Sequence, residues 1–277
     1  MRRRLLNKVH CDITPSFDPV YRRVLRYACK KNISFPSESQ QIIQNQLVLD
    51  LKSNGLWDLF DMFYLFMNDS GLEYSAINWA NPYLYSLSYD GLIDTHVTND
   101  RVEFESSADS NFNPKDHAIN YKLNDCSFGY YIVDRTDFDA NDSVLVSANT
   151  FEPNSSVSQT QDDPASIIGG FNSYILVNKA GTAQNTLLSG AGNAYRDLNV
   201  LHSIELLNDT ASYYYNNTLY GNSVTNIPTE LPDQTFKIHN NASTSSYSFW
   251  YAGSHLSLAQ KGTLKTLLDD YKTDINL

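Results

Sequence analysis

The chain is poor in charge, poor in cysteine and without any long apolar run, and each shortage removes a class of protein. Only 18% of the 277 residues are charged, so the polar surface must be built from Asn, Ser, Thr, Gln and Tyr, which suit strand faces, turns and neutral hydrogen bonding. The three cysteines, Cys11, Cys29 and Cys126, form neither an even-numbered framework nor a CxxC pair, and are expected to be reduced and structural. There is no uninterrupted apolar span of about 18 residues to cross a membrane. Asn7, Lys8, His10 and Asp12 break up any apolar region after the first basic residues, so no signal peptide is visible. A soluble protein made in a cytoplasm is expected. The six histidines, His10, His96, His117, His202, His239 and His255, show no HxH or HExxH grouping, which removes a zinc site by spacing. Neither a nucleophile elbow nor a phosphate-cradling glycine loop occurs; Gly169-Gly170 and Ser189 to Gly192 are turns.

What is present is apolar and aromatic. At 42% hydrophobic and 13% aromatic, with 19 Tyr, a chain of this length can bury a large core, and all-β sandwiches of this size form single domains. The formal net charge of −11 argues against nucleic acid, whose binding requires clustered cations. That charge is uneven. Arg2, Arg3, Arg4, Lys8, Arg22, Arg23, Arg26, Lys30 and Lys31 all lie in the first 31 residues against only Asp12 and Asp18, leaving the remainder strongly acidic. Such a segment is either a solvated helix face or an anchoring arm for an acidic partner surface, including a neighbouring copy of this chain.

Periodicity divides the chain. Residues 1–16 form a basic arm without sustained period, ending at Thr14-Pro15-Ser16. Asp18-Pro19 then supplies an N-cap and a first-turn proline, with Val20, Val24, Tyr27 and Ala28 on the apolar side of a helix ending near Asn32. Ser37 and Gln40 make a capping-box pattern for a second helix, striped by Ile43, Leu47, Leu51 and Leu56 and closed by Gly55. Residues 17–60 are thus a helical segment. From Met62 to about residue 254 short strand-like runs alternate with Asn, Asp, Ser and Gly clusters. The clearest hairpin is Tyr213 to Tyr220, turning at Asn216-Asn217. A last helix spans Ser257 to Ile275. The expected fold is mainly β, a jelly-roll sandwich over 61–277 that carries the C-terminal helix.

Particular motifs sharpen this. Pro36, Gln44, Asn45, Leu47, Val48, Leu51 and Lys52, followed by Gly55, Trp57 and Asp61, precede Asn78-Trp79-Ala80-Asn81-Pro82. Farther on stand Phe112-Asn113-Pro114 with Asn120 to Asn124, and Gly253, Leu256 and Ser257 before the last helix. The pattern over roughly 35–135 and 245–275 resembles bacteriophage and prophage virion proteins of phages of Bacteroidetes hosts, in which a short helical segment precedes a concanavalin A-like (LamG-like) jelly roll. Where such sequences carry a glycine-rich turn, this chain has Asn99 to Ser106. The resemblance implies a capsid- or tail-associated structural protein, located in the virion and synthesised in the bacterial host cytoplasm, with no catalytic residue transferred.

The functional expectation follows from both lines. Arg2, Arg3, Arg4, Arg22, Arg23 and Arg26 are the expected docking residues toward other virion proteins, and a homo-oligomer is expected. Tyr213, Tyr215, Tyr220 and Trp250 are candidate contacts to a host surface glycan or a neighbouring subunit, the alternative being a carbohydrate-binding adhesin or receptor-binding module of a fibre. No enzyme, no cofactor, no nucleic acid and no membrane insertion are expected. Glu103-Phe104-Glu105 has the same-face spacing of glycosidase carboxylates, but lacks a third acid and reads as a charged strand edge. Asp137 to Asp142 resembles the first half of a Ca²⁺ loop without its Gly and closing Glu, and reads as a turn.

Overall fold

The structure, a computed structural model, describes residues 11–89, 97–98, 101–104, 108–136, 144–147, 166–169, 199–219, 223–225, 227–228, 231, 236–239 and 244–275. In chain order these hold α1 (Pro19–Lys31), α2 (Glu38–Ser53), a 3-10 turn (Trp57–Leu59), β1 (Phe60–Leu65), α3 (Leu72–Ser75), β2 (Ser88–Tyr89), β3 (Val97–Thr98), β4 (Arg101–Phe104), β5 (Ala108–Asp109), α4 (Pro114–His117), β6 (Asp125–Thr136), β7 (Val144–Ser147) and β8 (Ser166–Gly169). They continue with β9 (Val200–Leu207), β10 (Thr210–Tyr215), β11 (Thr218–Leu219), β12 (Val224–Thr225), β13 (Lys237–His239), β14 (Thr244–Gly253) and α5 (Leu258–Ile275).

Nine strands form one antiparallel sheet, β11-β10-β9-β6-β14-β4-β3, with β1 also on β14 and β12 also on β10; five form a second, β2-β5-β13-β7-β8. The fold is mainly β, a sandwich with helices, as expected. The middle of the larger sheet, at β1, residues 200–206 of β9 and residues 246–253 of β14, is buried on both faces. Met62, Tyr64 and Phe66 join Phe128, Tyr130, Tyr247, Trp250 and Ala252 in the core shared with Phe112 and Phe236, which adjoin the second sheet. The alternate residues Phe63, Leu65 and Met67 join Phe249 and Tyr251 under α1, α2 and α5. This explains the unbroken apolar run in β1, since a strand with two dry faces shows no alternation.

The helix ends follow their sequence signals. Asp18 accepts the Val20 N–H at 2.8 Å, and the left-handed Asn32 (φ 60°) closes α1. Ser37 Oγ accepts the Gln40 N–H at 3.4 Å, but the Gln40 side chain does not reach back. Its Oε1 accepts the Asp69 N–H at 2.7 Å, tying α2 to the end of β1. Asn216 (φ 44°) and Asn217 (φ 68°) make the β10–β11 turn. Between α4 and β6 the chain makes one isolated bridge, Lys122 to Asp125.

The cysteine expectation is corrected. Cys11 and Cys29 form a disulfide with Cα atoms 6.2 Å apart, while Cys126 is buried and takes part in no disulfide among the described residues. An odd count leaves room for one pair. Residues 11–18 run back along α1 after a turn in which Phe17 N–H donates to Thr14 O, so positions 18 apart in sequence meet at the last turn of the helix. Closing a loop of this size stabilises by about 3 kcal/mol. Cys29→Ser should lower the urea midpoint accordingly, and reductant should move the wild type toward the variant but leave the variant unchanged.

Candidate docking face

α1 buries Tyr21, Val24, Leu25 and Ala28, which turns Arg23, Arg26, Lys30 and Lys31 to solvent. Positions 23, 26 and 30 fall on one side of the helix. Among the described residues, neither these four cations nor Arg22 pairs with a carboxylate. Arg23 Nη2 donates to Ala80 O at 3.4 Å. Lys30 Nζ lies 5.6 Å from the Tyr83 ring centroid and Lys31 Nζ 5.8 Å from that of Tyr27. The Nε of Arg22 is buried with no hydrogen-bond partner.

The loop after α3 supplies the aromatic half. Asn78 and Trp79 fasten it to β1: Asn78 Oδ1 accepts the N–H groups of Phe63 and Ala80 at 3.0 and 3.1 Å, and its Nδ2 donates to Asp61 O at 3.1 Å. Trp79 N–H donates to Phe63 O at 2.8 Å, and the buried indole sits 5.6 Å from Tyr21 on α1. The loop is thereby pressed against α1, with Tyr27 OH bonded to Ser86 Oγ at 2.9 Å and the Tyr27 and Tyr83 rings edge to face at 5.4 Å. Tyr83 and Leu84 remain about half exposed. Tyr85 adopts φ 62°, unusual for a bulky residue. It is held there by the Tyr64 hydroxyl on its carbonyl and by rings of Phe112 and His117 at 5.3 and 4.6 Å.

Asp61 anchors the neighbouring turn. A register shift in β1 between Phe60 and Met62 frees its side chain, and its carboxylate accepts the N–H groups of Ile119, Asn120 and Tyr121. Burial pushes its pKa up, opposed by those three donors. Chemically, the α1 face offers guanidinium forks and ammonium groups for carboxylates, beside rings that supply apolar contact.

A second polar cluster lies between α5 and the larger sheet. Glu205 on β9 and Lys261 on α5 are 2% and 1% exposed, with Lys261 Nζ 2.6 Å from Glu205 Oε2 and 3.3 Å from the Tyr214 ring centroid. His255 Nε2 lies 3.1 Å from the same oxygen. Ser203 Oγ donates to Glu205 Oε1 at 3.0 Å and lies 2.9 Å from Tyr251 OH. Burial lowers the Lys261 pKa, with Glu205 acting to raise it, and burial raises that of Tyr251, Glu205 adding to it. With both carboxylate oxygens engaged and the pair enclosed, this cluster clamps α5 to the sheet.

Of the residues expected to dock, Arg22, Arg23 and Arg26 stand together on α1, whereas Arg2, Arg3 and Arg4 lie outside the described residues. The aromatic contacts are corrected. Trp250 and Tyr213 are buried in the sandwich core, because β14 and β10 turn those rings inward. Tyr215 is half-buried, 6.0 Å from the His202 ring, and Tyr220 is outside the described residues. Glu103 is placed in β4, but Glu105 and Asp137 to Asp142 lie outside them. Tyr27 and Tyr83 were missed as surface groups. Pro82 beside Tyr83, after a motif that fixes a loop, was the available signal. The Glu205–Lys261 pair carried no signal, being 56 positions apart in sequence.

No family model and no curated protein matches the sequence. Among solved structures the chain is similar to the receptor binding domain of botulinum neurotoxin mosaic serotype C/D, at 12% identity and TM-score 0.48, covering 76% of this chain and 51% of that one. It is also similar to Trypanosoma rangeli sialidase in complex with a difluoro-nononic acid, at 9% identity and TM-score 0.49, covering 83% of this chain and 40% of that one. The chain thus spans about half or less of these structures, and likeness at this level assigns neither family nor activity.

Proposed function

We propose that this chain is a docking module, a virion structural protein that grips acidic surfaces of neighbouring subunits through α1 and the loop packed on it. The observation that carries the reading is the row of cations on α1 that meets no carboxylate among the described residues, set beside Tyr27 and Tyr83. Arg and Tyr are enriched at protein interfaces. An uncompensated cationic patch steers association toward acidic partners. The setting in a virion rests on the sequence resemblance over residues 35–135 and 245–275.

Combining Arg23→Glu, Arg26→Glu and Lys30→Glu tests this. In particles produced with the variant as the sole copy, incorporation should fall at least about tenfold, equivalent to about 1.4 kcal/mol, while the thermal midpoint stays near wild type. Washing purified particles at rising ionic strength should release the wild-type chain, since exposed charges are screened. Normal incorporation of the folded triple variant would overturn the reading.

A further inference from the structure

The three long helices form a layer on the larger sheet, with α2 in the middle. Gln44 on α2 accepts from Tyr21 OH of α1 at 2.8 Å and donates to Tyr271 OH of α5 at 3.3 Å. Opposite its buried residues, α2 exposes Ile42 (57%) and Leu49 (40%) with Gln46 between them. Positions 42, 46 and 49 lie on one side of a helix, so the middle of the layer carries an apolar stripe turned to solvent. On one flank stands the cationic row of α1. On the other, the end of α5 exposes Asp270 and Asp274. Neither is in an ion pair among the described residues, while the neighbouring Asp269 is taken up by Lys265. Carboxylates at a helix C-terminus face the negative end of its dipole, so a cation brought to Asp270 and Asp274 is favoured twice.

A layer that is positive on one edge, apolar in the middle and negative on the other edge is complementary to itself. Rotation by half a turn about an axis parallel to α2 sets α1 against α5 of a second copy and α5 against its α1, with the Ile42 and Leu49 stripes meeting between them. We propose that two copies of this chain dock in this way, as an isologous two-fold dimer. The inference rests on the reading of the α1 face as a docking surface and names its occupant. Charge complementarity favours a second copy, since beyond residue 31 the chain carries 29 Asp and Glu against 11 Lys and Arg.

Sedimentation equilibrium of the full chain at low and high salt tests the dimer. The wild type should dimerise at low salt and dissociate as salt rises. Asp270→Lys with Asp274→Lys should weaken the dimer at least about tenfold, as should Arg23→Glu with Arg26→Glu. A chain carrying all four should recover to within about threefold of wild type. Leu49→Glu, at an exposed position opposite the buried side of α2, should leave a chain that is folded by circular dichroism and monomeric by sedimentation. A wild-type monomer at every concentration, indifference to both reversals, or failure of the four-site chain to recover would each overturn the dimer. Particle incorporation separates this from the broader reading: should Asp270→Lys with Asp274→Lys enter particles normally while the α1 variant does not, docking stands and self-association fails.

Discussion

Glu205→Ala should destabilise the folded chain by about 3 to 5 kcal/mol, the cost of stranding a buried charge by removing its partner. The stranded group is Lys261, 1% exposed, whose ammonium would keep the Tyr214 ring as its remaining partner among the described residues. Burial already depresses the pKa of Lys261 and Glu205 acts against that, so the variant loses the opposing influence and the depression deepens. The sign of the pH dependence follows. A lysine whose folded pKa lies below its unfolded value of 10.5 binds fewer protons folded than unfolded, and stability rises with pH through that window. The deficit of Glu205→Ala relative to wild type should therefore shrink as pH approaches 10.5. Combining Glu205→Leu with Lys261→Met should bring stability back to within about 1 to 2 kcal/mol of wild type, since a well-packed apolar pair commonly replaces a buried ion pair at little cost. Urea denaturation across pH reads all three, and a Glu205→Ala loss below about 1 kcal/mol would sink the claim that this pair clamps α5.

Gly253→Ala should cost about 4 kcal/mol or more, in the range reserved for core disruption and strain. A Cβ at this position would stand 1.9 Å from Leu59 O and 2.9 Å from Phe60 Cα, and both are backbone, so no side chain can swing aside. Gly253 pairs with Phe60 across β1 and with Ser127 across β6, and the next residue donates its N–H to Leu59 O at 2.9 Å. Displacing β14 there would pull on both neighbours and on the entry to α5. The expected outcome is loss of the cooperative thermal transition or a collapse of its midpoint, and a Gly253→Ala chain that melts like wild type would contradict the close approach.

Where the fold was legible, a local rule decided the structure. Asp18-Pro19, Ser37 and Gly55 placed the ends of α1 and α2, and Asn216-Asn217 placed the β10–β11 turn, because capping and positive φ depend on residues a few positions apart. Gly253 belongs to the Gly253, Leu256, Ser257 pattern read before the last helix, and its meaning is steric. What could not be read was long-range. Cys11 reaches Cys29 only because the chain doubles back along α1, and Trp250 is buried because β14 lies between β1 and β6 in a sheet covered on both sides. On the docking face, Arg22, Arg23 and Arg26 were visible as a basic cluster, whereas Tyr83 is brought to them by the Asn78 side chain bonded to β1.

The middle of the larger sheet, at β1 and β14, is buried above and below, and this changes what keeps its strands aligned. In a strand with one wet face, a slip by a single residue is penalised because it turns greasy side chains outward. In β1 such a slip would exchange Tyr64 for Phe63 between two oily compartments, and polarity would object only through the Asp61 carboxylate and the Tyr64 hydroxyl, whose partners lie outside the strand. Alignment is then guarded by shape as well, and there the guards are the smallest side chains. Gly129 leaves room for Tyr251, whose ring would lie 2.1 Å from any Cβ added there, so a misaligned β6 would collide with that ring rather than expose anything to water.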